Sequence, residues 1–246
     1  MCMSETNLSS LSIDGMGSYP GGSYDKVSIS GMGKILDDIT CNSFDVSGKG
    51  KVLGKLHARY FEASGMCTCN KAVTADNMEV SGTISCKETV TVGEIHIEGM
   101  MSVGDHFNAK TIRCCGTITG KGNITAEQVE VEGSLQTTGA LNCEEFKIDL
   151  AGTSEIAEFG GSICIVRAPL ENRNVIAKLF MPARFRNDCF VCNIIEADQI
   201  TIENSKVNTV RGEKVVIGKG CIIDTVEYSE SIHIDESAVV KNVVQK

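Results

Sequence analysis

No tryptophan occurs among the 246 residues, aromatic side chains make up only 5% of them, and proline appears three times. Compact cores of this size draw on more large rings. Val, Ile and Leu stand in their place beside 25 glycines, so flat layers of aliphatic side chains are the expectation. No apolar run reaches the roughly 18 residues that a membrane-crossing helix needs, and the first residues lack the basic and apolar sections of a signal peptide. A cytoplasmic location is expected. Clustered positive charge is scarce too: 23 Lys and Arg against 32 Asp and Glu leave a net charge of −9. Phosphate contacts need such clusters, so no nucleic-acid partner is expected. Disorder is excluded by the 42% of hydrophobic residues.

Cysteine, by contrast, is plentiful at twelve. In a small secreted domain that number would mean disulfides, but a chain this rich in aliphatic residues needs no staples, and reduced thiols are expected.

The chain repeats itself every 17 residues. Gly31, Gly48, Gly65, Gly82, Gly99, Gly116 and Gly133 recur at that interval without a slip. Four residues before each Gly stand Val27, Phe44, Phe61, Met78, Ile95, Ile112 and Val129, and two before it Ile29, Val46, Ala63, Val80, Ile97, Cys114 and Val131. The residues between these columns, from Ser28, Asp45 and Glu62 to Glu130, are all polar. Apolar, polar, apolar, polar, Gly is the period-two pattern of a short strand with one buried face. A second apolar column follows eight residues past each Gly, from Ile39 and Leu56 to Leu141, and a weaker third pair lies between, as at Ile84 and Cys86. Three short strands per 17 residues predict an all-β, single-stranded parallel β-helix, with equivalent residues stacked about 4.8 Å apart. The recurrent Gly is expected at corners with φ values costly for other residues. The apolar register extends to Phe146 and Ile148, and by the same offset to Ile163 and Ile165.

Four segments follow. Residues 1–23 read as a flexible tail with a partial capping strand at Leu11 and Ile13, the Ser/Gly-rich stretch 16–24 being linker. Residues 24–167 are the 17-residue coils. Residues 168–188 hold two of the three prolines and a basic amphipathic pattern, Arg173, Lys178, Leu179, Phe180, Arg184, Phe185 and Arg186. That pattern suits either packing on the solenoid wall or a membrane-surface or partner contact. Residues 189–246 show strand signals again, less regularly, with Ile200, Val215 and Ile232 in one series and Val210, Val226 and Val243 in another. They form further coils or a second small β-layer.

Chemistry is hard to find. His57, His96, His106 and His233 stand apart from one another and from any Cys pair, so neither a catalytic role nor a metal site is expected of them. Cys189 and Cys192 have CxxC spacing, which alone is a weak zinc signal, and buried structural thiols are the simpler reading. Calcium-binding turns, GxGxxG and the P-loop are missing. No cofactor and no enzymatic activity are expected. A β-solenoid nevertheless exposes strand edges and apolar cross-sections at its first and last coils, and these must be capped or paired. End-to-end self-assembly is therefore the expected function, with candidate interface residues Val27, Ile29 and Ile39 at one end and Ile232, Ile234, Val239, Val240 and Val243 at the other.

The units SISGMGKILDDI, EVSGTISCKETV and EVEGSLQTTGAL resemble the bactofilins, polymer-forming bacterial cytoskeletal proteins. The tail from Ile195 through ITIENSKVNTVRGEKVVIGKGCIIDTVEY is similar to the C-terminal region of a longer Gram-positive group related to them. The resemblance implies a right-handed β-helix that polymerises without nucleotide. Its filaments would scaffold envelope-assembly proteins at the inner face of the membrane, with roles in cell shape. The basic insertion and the extra C-terminal section depart from the smaller bactofilins, so a closed dimer is the alternative to a homopolymer. Two other classes compete. A non-polymerising adaptor would bind partners on flat walls. A β-helix acyltransferase would use 18-residue coils and a catalytic His, which the 17-residue coils and isolated histidines disfavour.

Overall fold

The computed structural model describes residues 8–168 and 188–246, and all their regular structure is β-strand. The basic residues Arg173, Lys178, Leu179, Phe180, Arg184, Phe185 and Arg186 lie outside the described residues. Contacts divide the chain into two compact units, 1–109 and 110–246. Each is a parallel β-solenoid.

In the first unit a short and a long strand alternate: β1 (Leu11–Ile13), β2 (Met16–Tyr19), β3 (Gly22–Ile29), β4 (Met32–Ile35), β5 (Ile39–Val46), β6 (Lys49–Val52), β7 (Leu56–Ala63), β8 (Met66–Cys69), β9 (Val73–Val80), β10 (Thr83–Cys86), β11 (Val90–Ile97) and β12 (Met100–Val103). Every strand pairs in parallel with the strand two along, 17 residues on from β3 onward, so that Phe44 lies on Phe61 and Val46 on Ala63. Within one coil Ile39, Cys41, Phe44, Val46, Gly50 and Val52 are all buried. Alternation is broken only at Asn42 and Ser43, two successive residues off the core, where the eight-residue strand turns a corner. The three expected inward pairs are thus present, two of them carried on one strand. Phe44 and Phe61 meet edge to face with centroids 5.2 Å apart.

Two expectations are corrected here. The recurrent glycines do not have positive φ: among the described glycines only Gly22, Gly152 and Gly220 do. Their need is spatial. A Cβ on Gly48, Gly65, Gly82 or Gly99 would collide with the carbonyl oxygen of the Gly one coil before it. The stretch 16–24 is strand and not linker, because Gly17 pairs with Gly33 and Tyr19 with Ile35. Glycine is the inward residue of that column, since a Cβ on Gly33 would press within 2.9 Å of Ile29.

β13 (Phe107–Cys114) spans the division between the units. The second unit holds β14 (Thr117–Gly120), β15 (Ile124–Leu150), β16 (Thr153–Arg167), β17 (Cys189–Ile202), β18 (Ser205–Ile217), β19 (Ile222–Ile234) and β20 (Val239–Gln245). Each of the last five pairs in parallel with its predecessor, so the C-terminal residues are coils of the same stack and not a separate layer. The expected series is seen directly: Ile200 on Val215 on Ile232, and Val210 on Val226 on Val243. Coil length varies, however. Gln136 pairs with Glu155 and Phe146 with Cys164, steps of 19 and 18 residues. Extrapolation at 17 therefore misses by one, and Cys164 and Val166 point inward while Ile163 and Ile165 are half-exposed. A one-residue slip exchanges the two faces of a strand.

Candidate assembly surfaces

β20 is the last strand of the second unit, and among the described residues no strand pairs with its far edge. Its sequence, VVKNVVQ, keeps the apolar alternation of a core strand, but with no coil beyond it the side chains stay open to solvent. Val239 is 56% exposed, and Val243 and Val244 are exposed as well. Ile232, Ile234 and Val240 are half-buried. Ion pairs fasten this strand to β19. The Lys246 ammonium lies 2.5 Å from the Glu227 carboxylate and the Lys241 ammonium 2.6 Å from Asp224, while the Lys246 amide donates to the Tyr228 carbonyl at 2.9 Å. Glu227 also accepts from Arg211 Nε at 2.7 Å, and Lys246 and Arg211 together hold its carboxyl below the usual range. Lys241 and Lys246 therefore face back into their own unit instead of covering the edge.

At the start of the first unit, Val27, Ile29 and Ile39 are not at an edge. Val27 and Ile29 are fully buried beneath Leu11 and Ile13 of β1, and Ile39 is buried beneath Gly22. The chain upstream, read as tail, supplies the covering strands. The outermost described strands there are β1 and β2, and Met16 is 78% exposed.

The described cysteines are free, and most are buried. Burial pushes the Cys41, Cys143 and Cys192 thiols up to about 12, and Cys114 and Cys221 to about 11, which leaves them protonated and unreactive at neutral pH. Cys192 Sγ donates to the Ile194 carbonyl at 3.1 Å. Among the described residues no group of three His, Cys, Asp or Glu is placed to hold a metal ion, the Cys189 and Cys192 pair included. His96 and His106 lie beside Glu98 and Asp105 at 3.4 and 3.7 Å on exposed surface.

Sequence reasoning missed a groove of about 560 Å³ on the second unit, lined by Gly160, Gly161, Gly212, Arg211, Glu227 and Tyr228 among others. Its signal was the glycine pair 160–161, which interrupts the apolar pattern. The charged groups on its wall cancel, since Arg211 lies between Glu196 and Glu227 at 3.4 and 2.7 Å. No described helix is long and apolar enough to cross a membrane.

No protein-family model matches the chain, and no solved structure does. Two proteins of Bacillus subtilis strain 168 are similar to part of it. Uncharacterized protein YhbF is 31% identical over 104 residues, 42% of this chain and 40% of the relative. Uncharacterized protein YhbE is 35% identical over 105 residues, 42% of each. The chain thus spans about two fifths of the length of these curated relatives.

Proposed function

We propose that the chain is a bactofilin-like cytoskeletal scaffold whose copies join strand edge to strand edge into filaments without nucleotide, and that these filaments organise envelope-associated proteins. The observation that carries this reading is β20, a seven-residue strand with exposed Val239, Val243 and Val244 and no partner on its far edge among the described residues. A free, apolar parallel edge is a template for another chain, and soluble proteins ordinarily blunt it with charge, proline or a covering loop. The two lysines available for that purpose are engaged with Asp224 and Glu227. The resemblance of the tandem units to bactofilins supports the same conclusion.

Negative-stain electron microscopy and light scattering over a concentration series, without nucleotide, test it. Filaments are expected from the native chain. Val239→Asp with Val243→Asp, which alters only exposed positions, should abolish them while leaving the circular dichroism spectrum unchanged. A monomer or closed dimer at every concentration would overturn the polymer and leave a non-polymerising adaptor.

A further inference from the structure

The wall of the first unit built from the short strands β2, β4, β6, β8, β10 and β12 carries an unusual outward column. In register it reads Met16, Met32, Lys49, Met66, Thr83 and Met100. All four methionines are exposed, Met66 to 55%. Beside them Lys34 lies in register with Lys51. Around the glycine corner, the second half of each long strand presents Asp45, Glu62 and Glu79, again stacked in register. Like charges one coil apart, about 4.8 Å, repel.

Elsewhere the chain avoids this arrangement. Arg59 pairs with Asp76 and Lys71 with Glu88 along the stack, and Arg211 bridges Glu196 and Glu227. Lys34, Lys49, Lys51, Asp45, Glu62 and Glu79 have no ion pair among the described residues. Two unneutralised columns of opposite sign therefore stand on adjacent walls of one unit, each advancing one coil at a time.

We propose that the Met and Lys wall is a docking surface for a second copy of this chain, which lays its Asp45, Glu62 and Glu79 column against Lys34, Lys49 and Lys51. The charge complementarity names the occupant. Both columns share one spacing, so two copies with parallel coils match a Lys to an acid at each step. At a net charge of −9 the copies repel one another in other orientations. Exposed Tyr60 stands beside Glu62 on the acidic wall, where its ring can meet the exposed thioethers of Met32 and Met66. The contact is heterologous, each copy using a different wall, so it joins copies side by side. It is separate from the strand-edge contact proposed above.

Two charge-reversed chains test it: Lys34→Glu, Lys49→Glu, Lys51→Glu, and Asp45→Lys, Glu62→Lys, Glu79→Lys. Lateral association is read as particle width in negative stain and as mass by light scattering, at about 20 mM and about 500 mM salt. The native chain should associate at low salt and separate at high salt. Each variant alone should lose association about tenfold or more, and an equimolar mixture should regain it. Restoration by mixing requires both variants to be folded and excludes a mere change in net charge. Lys55→Glu, Lys87→Glu, Lys121→Glu, which makes the same change in net charge elsewhere, should leave the native width. Failure of the strand-edge reading shortens particles, whereas failure of this one leaves them narrow in native protein. A native chain that stays narrow at low salt, variants that pair like it, or two folded variants that do not recover together would overturn the proposal.

Discussion

Gly65→Ala separates two explanations of the recurrent glycine. Its φ is not positive, so the backbone accepts alanine, and conformational freedom alone predicts a gain of about 0.4–1 kcal/mol through the unfolded chain. Stacking predicts the reverse. A Cβ on Gly65 collides with the carbonyl oxygens of Gly48 and Ser47 and comes within 2.6 Å of the Ser47 carbonyl carbon. These are backbone atoms, held by ladder bonds from the Gly65 amide to Val46 O and the Met66 amide to Gly48 O, both 2.9 Å. Relief requires the coils to part, which weakens both bonds at about 1 kcal/mol each on top of an overpacking strain of about 1–3 kcal/mol. The expected loss is about 2–4 kcal/mol. Gly15 is the internal control: it heads the same column with no coil before it, and a Cβ there meets nothing within 4 Å. Gly15→Ala should be neutral or slightly stabilising. Urea titrations followed by circular dichroism would measure both, with the m-value checked for a change in cooperativity. Equal effects at the two positions, or a Gly65→Ala chain within about 0.5 kcal/mol of native, would refute the stacking argument.

Other perturbations reach different parts of the fold. Val80 lies buried between Ala63 and Ile97, so Val80→Asp should cost about 4 kcal/mol or more, while outward Ser81→Asp should change stability by under about 0.5 kcal/mol; similar melting temperatures would contradict the inward assignment. Phe159 packs against Phe146 with centroids 5.6 Å apart, and Phe159→Ala should cost about 3–5 kcal/mol in the urea midpoint, a loss under 1 kcal/mol arguing that the second unit is loosely packed there. The buried thiols set an alkaline limit. Cys41, Cys114, Cys143, Cys192 and Cys221 are raised from 9.0 to about 11 or 12 when folded, so their contribution is full below pH 9 and is lost as pH rises through the folded values. Each thiol steepens that decline by about 1.4 kcal/mol per pH unit. With reductant present, a urea midpoint unchanged between pH 8 and pH 10.5 would contradict it.

The first unit was legible because its stacking permits little variation. A glycine whose Cβ would strike the coil before it must recur at the same place in every coil, and that recurrence fixes the register of Phe44 on Phe61 or Val80 on Ile97. The cause of the recurrence was not legible. A clash with the neighbouring coil and a positive φ leave the same letter in the sequence, and only coordinates distinguish them. The first coils were hidden for a related reason. Gly17 and Gly33 are inward residues at a point too narrow for a side chain, so the strand Met16–Tyr19 has the composition of a linker. That misreading carried over to the assembly surface. With residues 11–19 taken as tail, Val27 and Ile29 stood at the edge, although β1 covers them.

In the second unit the pattern remained visible while its phase was lost. The same alternation appears at Ile163 and Ile165 as at Phe146 and Ile148, but the extra residue taken up between Thr137 and Ala140 and their partners reverses inside and outside. Periodicity reports that a strand exists. Phase reports which face is buried, and it survives only as long as every corner has the same length. Where lengths change, the surplus backbone must go somewhere, and Gly160 and Gly161 open the groove beside Arg211 in that region. The charge columns show the converse. Asp45, Glu62 and Glu79, and Lys34 with Lys51, fall in line because the first unit does not slip. An unneutralised ladder of one sign can be built only on a strict repeat, so the regularity that made the first unit readable is also what makes its walls suited to a partner of the same period.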